Sequence, residues 1–144
     1  MTKSNIDRFD EYAGLIFAHL YAAFPMRVQI GDYQFMPEAQ KDGEFDFEMY
    51  SRESKFVEAT ILWLRDAGYI SGQVISLGLL DAVLTSKGLE VLKATPSSLV
   101  NGPSLGDRIT DAVKEGGKET MRSLVSEALG IGARLMSPLV GLSP

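Results

Sequence analysis

The chain has 144 residues, 45% of them hydrophobic, and nineteen Asp/Glu against fourteen Lys/Arg give it a net charge of −5. That length and apolar content suffice for one domain of ordinary size with a real core. Cysteine is absent, which excludes disulfides, thiolate metal sites and cysteine nucleophiles and fits a reducing compartment.

The N-terminal MTKSNIDRFDEY has no apolar leader, and no stretch reaches the roughly 18 uncharged apolar residues of a membrane span. The expectation is a cytoplasmic protein with no membrane span. Residues 1–95 hold nine Lys/Arg against fourteen Asp/Glu, whereas residues 96–144 hold five of each. The acidic part is therefore the part that reads as a folded core. Phosphate neutralisation by Lys and Arg supplies most non-specific nucleic-acid affinity, so such a core binds DNA only by gathering its few cations on one face.

The first helix is predicted from Ile6 to Phe24, where Phe9, Tyr12, Ala13, Ile16, Phe17, Leu20 and Phe24 form a broad apolar stripe. Asn5 or Asp7 is available as its cap, and Pro25 follows its end. MRVQI reads as a short strand closed by the Gly31-Asp32 turn. Residues 36–48 are acidic and punctuated, with Glu38, Asp42, Glu44, Asp46 and Glu48, and read as a loop or a weak second helix. A further helix is predicted from about Ser54 to Ala67, capped by Ser51 or Ser54, with Phe56, Thr60, Trp63, Leu64 and Ala67 as its inward stripe. Gly68 stops it. YISGQVISLGLLDAVLT then reads as two strands around a turn near Gly78, and Thr85 or Ser86 caps a short helix through Lys93.

ATPSSLVNGPSLG marks a linker over 96–104 and divides a domain of residues 1–95 from a helical segment of residues 105–144. In that segment Ser104 and Asp107 have capping-box spacing. Met121, Leu124, Ala128, Ile131 and Leu135 form a heptad-like seam. Gly116-Gly117, Gly130 and Gly132 each lower helix propensity by about 1 kcal/mol relative to Ala, so two helical segments or a bend near 116 are expected. Ser137-Pro138 closes the pattern.

Between Phe56 and Leu92, FVEATILWLRDAGYI followed by LTSKGLEVL resembles the helix, wing and closing helix of winged-helix proteins. It is similar in particular to the small bacterial and prophage YjcQ-like group. The resemblance covers roughly residues 6–95 and rests on apolar patterning with Gly68, Thr85 and Gly88. It implies an α+β winged helix, a helical core with a small antiparallel β-hairpin wing, here followed by a C-terminal helical segment. As function it implies transcriptional regulation or a protein-binding module.

The residue types favour protein binding. DNA-binding winged helices present Arg, Lys, Asn or Gln on the groove helix and basic residues on the wing. The candidate nucleic-acid contacts here are Arg27, Arg52, Lys55 and Arg65, but Glu53, Glu58 and Asp66 interrupt them, and QVISLGLLD has no cation. Ordinary helix-surface charge is the plainer account.

Val74, Ile75, Leu77, Leu79 and Leu80 exceed what one face of a short hairpin needs. With Met121, Leu124, Ile131 and Leu135 they form the candidate interaction surface, unless the C-terminal segment folds back over the wing in the same chain. The seam itself needs a cover, from its equivalent or the wing of another subunit.

No catalytic constellation emerges. His19 lies mid-helix without a partner at useful spacing and reads as a buried or half-buried structural residue. The carboxylates at 42–48 lack the closing Glu of a calcium loop, and Gly116-Gly117-Lys118 lacks the upstream glycine and strand of a phosphate loop. Trp63 and Tyr69 read as core, and the six methionines as dispersed. The expected function is therefore protein–protein interaction and self-association, without catalysis, cofactor or metal, by a homo-oligomer or with a protein partner. The alternative is a dimeric DNA-binding regulator.

Overall fold

The computed structural model of the chain describes residues 3–37, 39, 44–95 and 102–142, the last seven by their backbone alone. The class is α+β. The elements run α1 (Asn5–Ala23), β1 (Val28–Gly31), a 3-10 turn (Asp32–Phe35), α2 (Phe47–Asp66), β2 (Ile70–Ile75), β3 (Gly78–Leu84), α3 (Ser86–Lys93), α4 (Leu105–Glu115) and α5 (Lys118–Leu142). Most of the expected linker, residues 96–101, lies outside the described residues, as do Glu38 and Asp42 of the acidic series. Among the described residues, no helix is long and apolar enough to cross a membrane.

Polar side chains start the helices. Ser4, one residue ahead of the expected cap, accepts from the Asp7 amide at 3.0 Å and opens α1. The helix expected from Ser54 begins seven residues earlier. Asp46 accepts from the Met49 amide at 3.0 Å, and Glu48 sits in the first turn, where the helix dipole favours an anion. The end of what read as a loop or weak helix, Phe47 and Glu48, is thus the first turn of α2, and a 3-10 turn follows β1. Thr85 and Ser104 cap α3 and α4 as expected. Gly116, left-handed at φ 73°, ends α4 and makes the break expected near 116. The α5 backbone continues past Ser137-Pro138 to Leu142.

The sheet has the order β1-β3-β2, antiparallel throughout. Gly68 (φ 89°) turns the chain from α2 into it. Asp81, also left-handed at φ 56°, marks an irregularity where β3 slips register against both neighbours.

At the centre is α1. Ala13, Ile16, Phe17 and Leu20 are buried among residues of α2, the sheet, α4 and α5, which form one continuous apolar cluster. The close approach depends on missing side chains. A Cβ on Gly14 would lie 2.6 Å from the Met121 side chain of α5, and one on Gly106 of α4 would lie 2.6 Å from the Tyr21 ring. Gly132, expected only to weaken its helix, admits the Tyr69 ring against α5. A polar tie supplements this packing: Arg122 donates to Glu11 at 2.7 Å, and Lys3 donates to the same carboxylate at 2.9 Å. Burial and the neighbouring Asp7 push the Asp10 carboxyl above its ordinary range.

The segment after the linker therefore does not stand apart as a docking arm. It packs on α1 and α3 of its own chain, and the seam is rotated from the expected one. Met121, Val125, Ala128 and Gly132 face inward, Leu124 and Ile131 lie at the flank, and Leu135 is exposed. The small Gly132, with Tyr69 seated on it, selects this face.

A chain ending at Thr95 leaves the α1 surface around Gly14 and Tyr21 uncovered. It is expected to lose the cooperative thermal transition of the full chain and to bind a hydrophobic dye, read by circular dichroism and fluorescence. A sharp transition at a melting temperature near that of the full chain would show that residues 1–95 are self-sufficient.

Candidate interaction surface

From Ala67 to Leu80 the chain carries no charged side chain, and the hairpin β2–β3 occupies most of that stretch. Its register pairs Ile75 with Gly78, Val74 with Leu79 and Gln73 with Leu80, leaving Ser76-Leu77 as a two-residue turn. Leu77 adopts a left-handed conformation (φ 68°), where glycine or asparagine is the usual residue. The tip is nevertheless held firmly, since Leu77 O accepts from the Asp32 amide at 2.9 Å. Gly78 lies against β1 so closely that a Cβ there would strike the Ile30 carbonyl.

Cross-strand partners share a face of the sheet. Val74 and Leu79 thus both face α2, but Leu79, on the central strand, is fully buried whereas Val74, on the edge, is 52% exposed. Val74, Leu77 and Ile75 join Ile61 and Leu62 of α2 around a groove of about 230 Å³, with Leu77 and Leu62 also exposed. Leu80 is exposed on the opposite face, beside Gln73. Of the residues expected to form an interaction surface, Val74, Ile75 and Leu77 are brought together. Leu79 and Met121 are instead buried core residues, because they face α2 and α1. Leu124 and Ile131 are half-buried on the flanks of α5, which packs on α1, α3 and α4.

The four cations are scattered. Arg52 and Arg65 lie about 20 Å apart along α2, at 1.5 Å per residue. Arg65 is committed to the hairpin, donating from Nε to Gly72 O at 2.8 Å. Arg52 and Lys55 are exposed at the other end, Arg52 3.9 Å from Glu48, and Arg27 precedes β1. His19, expected to be at least half-buried, is exposed with its ring edge-on to Phe35.

Trp63 corrects the expected α2 stripe. The helix turns Val57, Thr60, Ile61 and Leu64 inward, and Trp63 is 48% exposed. Its ring meets Phe9 edge-on at 5.2 Å and stacks on Tyr69 at 6.3 Å. Tyr69 is core, as expected, and donates to Leu129 O of α5 at 3.3 Å.

Beneath the tip lies an acid cluster for which the sequence offers no signal. Asp32 is 1% exposed and accepts from the Tyr33 amide at 2.6 Å and from the Tyr50 hydroxyl at 3.1 Å. Glu58, which lines the groove, lies close enough to Asp32 for the two carboxyls to share a proton. Burial first, then that hydrogen bond and the Asp32 charge, raise the Glu58 carboxyl above its ordinary value, and burial and Asp32 raise the Tyr50 hydroxyl likewise.

Comparison of the chain with protein-family models, with curated proteins and with solved structures finds no match.

Two outcomes are expected of this geometry. Trp63→Ala removes a half-exposed ring and its Phe9 contact, so it costs about 1–2 kcal/mol in denaturant unfolding, short of the roughly 3–5 kcal/mol of a buried aromatic. A raised folded-state pKa at Glu58 contributes stability below its unfolded-state value, and that stability is lost as pH rises through the folded-state value. Glu58→Gln keeps a donor to Asp32 without the charge. It should therefore melt higher than the parent at about pH 7.5, and the advantage should vanish at about pH 4. An unchanged or lower melting temperature at neutral pH would contradict the acid pairing.

Proposed function

We propose that the chain is a cytoplasmic winged-helix-type protein that works by binding rather than catalysis, self-associating through its β2–β3 hairpin. The order α1, β1, α2, β2, β3 with its three-stranded antiparallel sheet supports the winged-helix reading, the 3-10 turn standing where that reading expects a second helix. The observation that carries the interaction reading is the contiguous apolar surface of Val74, Leu77 and Leu62 at a hairpin whose strand β2 and turn carry no charged side chain. Contiguous exposed apolar surface marks interfaces.

Charge favours a second copy as the occupant. Two chains of net −5 repel each other, and the uncharged stretch from Ala67 to Leu80 is a part of the surface where a second copy meets little of that repulsion. β2 is also an edge strand without the Lys, Pro or inward charge that usually blunts an edge. A two-fold arrangement, hairpin to hairpin, buries the same patch on both copies. The alternative, a dimeric DNA-binding regulator, draws less support, because Arg52 and Arg65 lie far apart and Arg65 is already bonded to the hairpin.

Sedimentation should show a dimer that Val74→Lys with Leu77→Lys converts to monomer. Leu77→Gly relieves the left-handed leucine, which costs about 1 kcal/mol. It should leave the melting temperature equal or higher while weakening the dimer, separating loss of contact from loss of fold. A parent chain that stays monomeric at about 100 μM, a concentration at which even a weak Kd of about that value gives visible dimer, contradicts self-association.

A further inference from the structure

A cavity of about 860 Å³ opens between α1, α2 and the α4–α5 pair, within the range of about 300–1,000 Å³ common for small-molecule sites. Its floor is apolar: Leu15 of α1, Phe35 and Met36 beyond β1, Met49 of α2, Val113 of α4 and Met121 of α5. Three of the six methionines converge there from three separate parts of the chain. Their unbranched thioethers adapt to irregular apolar guests.

The mouth has the opposite character. Lys3, Arg8, Arg52 and Lys118 stand there against Glu11 and Glu53, an excess of cations on a chain of net −5. Both carboxylates are already engaged. Glu53 accepts from Arg8 and from the Tyr12 hydroxyl, each at 2.8 Å, and Arg8 is further pinned 4.0 Å above the Phe56 ring. Glu11 accepts from Lys3 and Arg122. Arg52 is held differently. Its approach to Glu48 is 3.9 Å, with its own side chain 63% exposed and that of Glu48 90% exposed, too long for a hydrogen bond and worth little in water. Its fork of donors matches a carboxylate.

We propose that this cavity binds a small amphipathic carboxylic acid, its hydrocarbon part on the methionine-lined floor and its carboxylate on Arg52 at the mouth. The apolar floor excludes a wholly polar anion such as phosphate as the preferred guest, because covering the half-buried Leu15, Met49 and Val113, above the buried Met36 and Met121, is where affinity comes from. The reversed sign at the mouth selects an acid over an amine or an alcohol of the same chain length.

The test uses the full chain labelled at the methionine ε-methyl groups, titrated with decanoate, decan-1-ol and decyltrimethylammonium. Decanoate is expected to shift the resonances of Met36, Met49 and Met121 and leave the exposed Met26 in place. Arg52→Gln, a surface change compatible with folding, should weaken decanoate by about tenfold or more, the loss of one charged hydrogen bond. The alcohol and the ammonium should bind the parent more weakly by a similar factor. Failure of decanoate to move those three methyl groups overturns the proposal. So does decanoate binding that is unchanged in Arg52→Gln, or matched by the alcohol, since either leaves mere adsorption to apolar surface.

Discussion

Everything in this fold depends on enclosing α1. A helix with Ala13, Ile16, Phe17 and Leu20 on its faces cannot be covered by one layer, since each large side chain contributes about 1.5–3 kcal/mol only when water is excluded from it. The sheet and α2 cover part of it and α4 and α5 the rest, with Gly14 and Gly106 as the points of closest approach. A protein interior at crystal-like density tolerates little added volume at such points. The same requirement decides which apolar surface is left over. Once α5 is committed to α1, the Met121 seam is packed within the chain, and the hairpin keeps an exposed apolar edge.

Charge is organised by the same centre. Glu11 on α1 gathers Lys3 and Arg122, with Lys118 at 3.9 Å, so cations from the N-terminus and α5 collect around one buried carboxylate. A pair with such low exposure is screened less than one on open surface. The result is a chain that is acidic overall, positive where α1, α2 and α5 meet, and neutral along β2 and the hairpin turn. These three regions differ in what they repel, and an acidic partner or ligand has only one favourable approach.

Much of the architecture was legible because it rests on local chemistry. Thr85 and Ser104 cap their helices, Gly68 and Gly116 turn the chain in left-handed geometry, and the hairpin follows from β-branched residues around a turn next to Gly78. What stayed hidden was rotation. In α2 two apolar stripes overlap: the expected one through Phe56, Thr60, Trp63, Leu64 and Ala67, and another through Val57, Thr60, Ile61 and Leu64, with Thr60 and Leu64 common to both. Periodicity alone cannot rank them, and packing against α1 and the sheet chose the second. In α5 the choice turned on Gly132, which scores as a defect on any propensity scale yet admits Tyr69. The cavity floor could not have been read at all, since Met36, Met49 and Met121 converge only through tertiary contacts.

The hairpin tip shows where stability gives way to another demand. A leucine sits in a conformation that glycine would adopt without strain, a buried Asp32 lies beside a Glu58 whose charge it opposes, and apolar side chains face water. Each feature is unfavourable by itself. Yet the surrounding structure holds all three rigidly, through the Asp32 amide to Leu77 O, the contact of Gly78 with β1 and the tie of Arg65 to Gly72. Local strain persists only where its surroundings over-determine it, and such places concentrate at sites of recognition. A preorganised apolar tip also loses little conformational freedom on binding, so the rigidity that contains the strain is the property an interface requires.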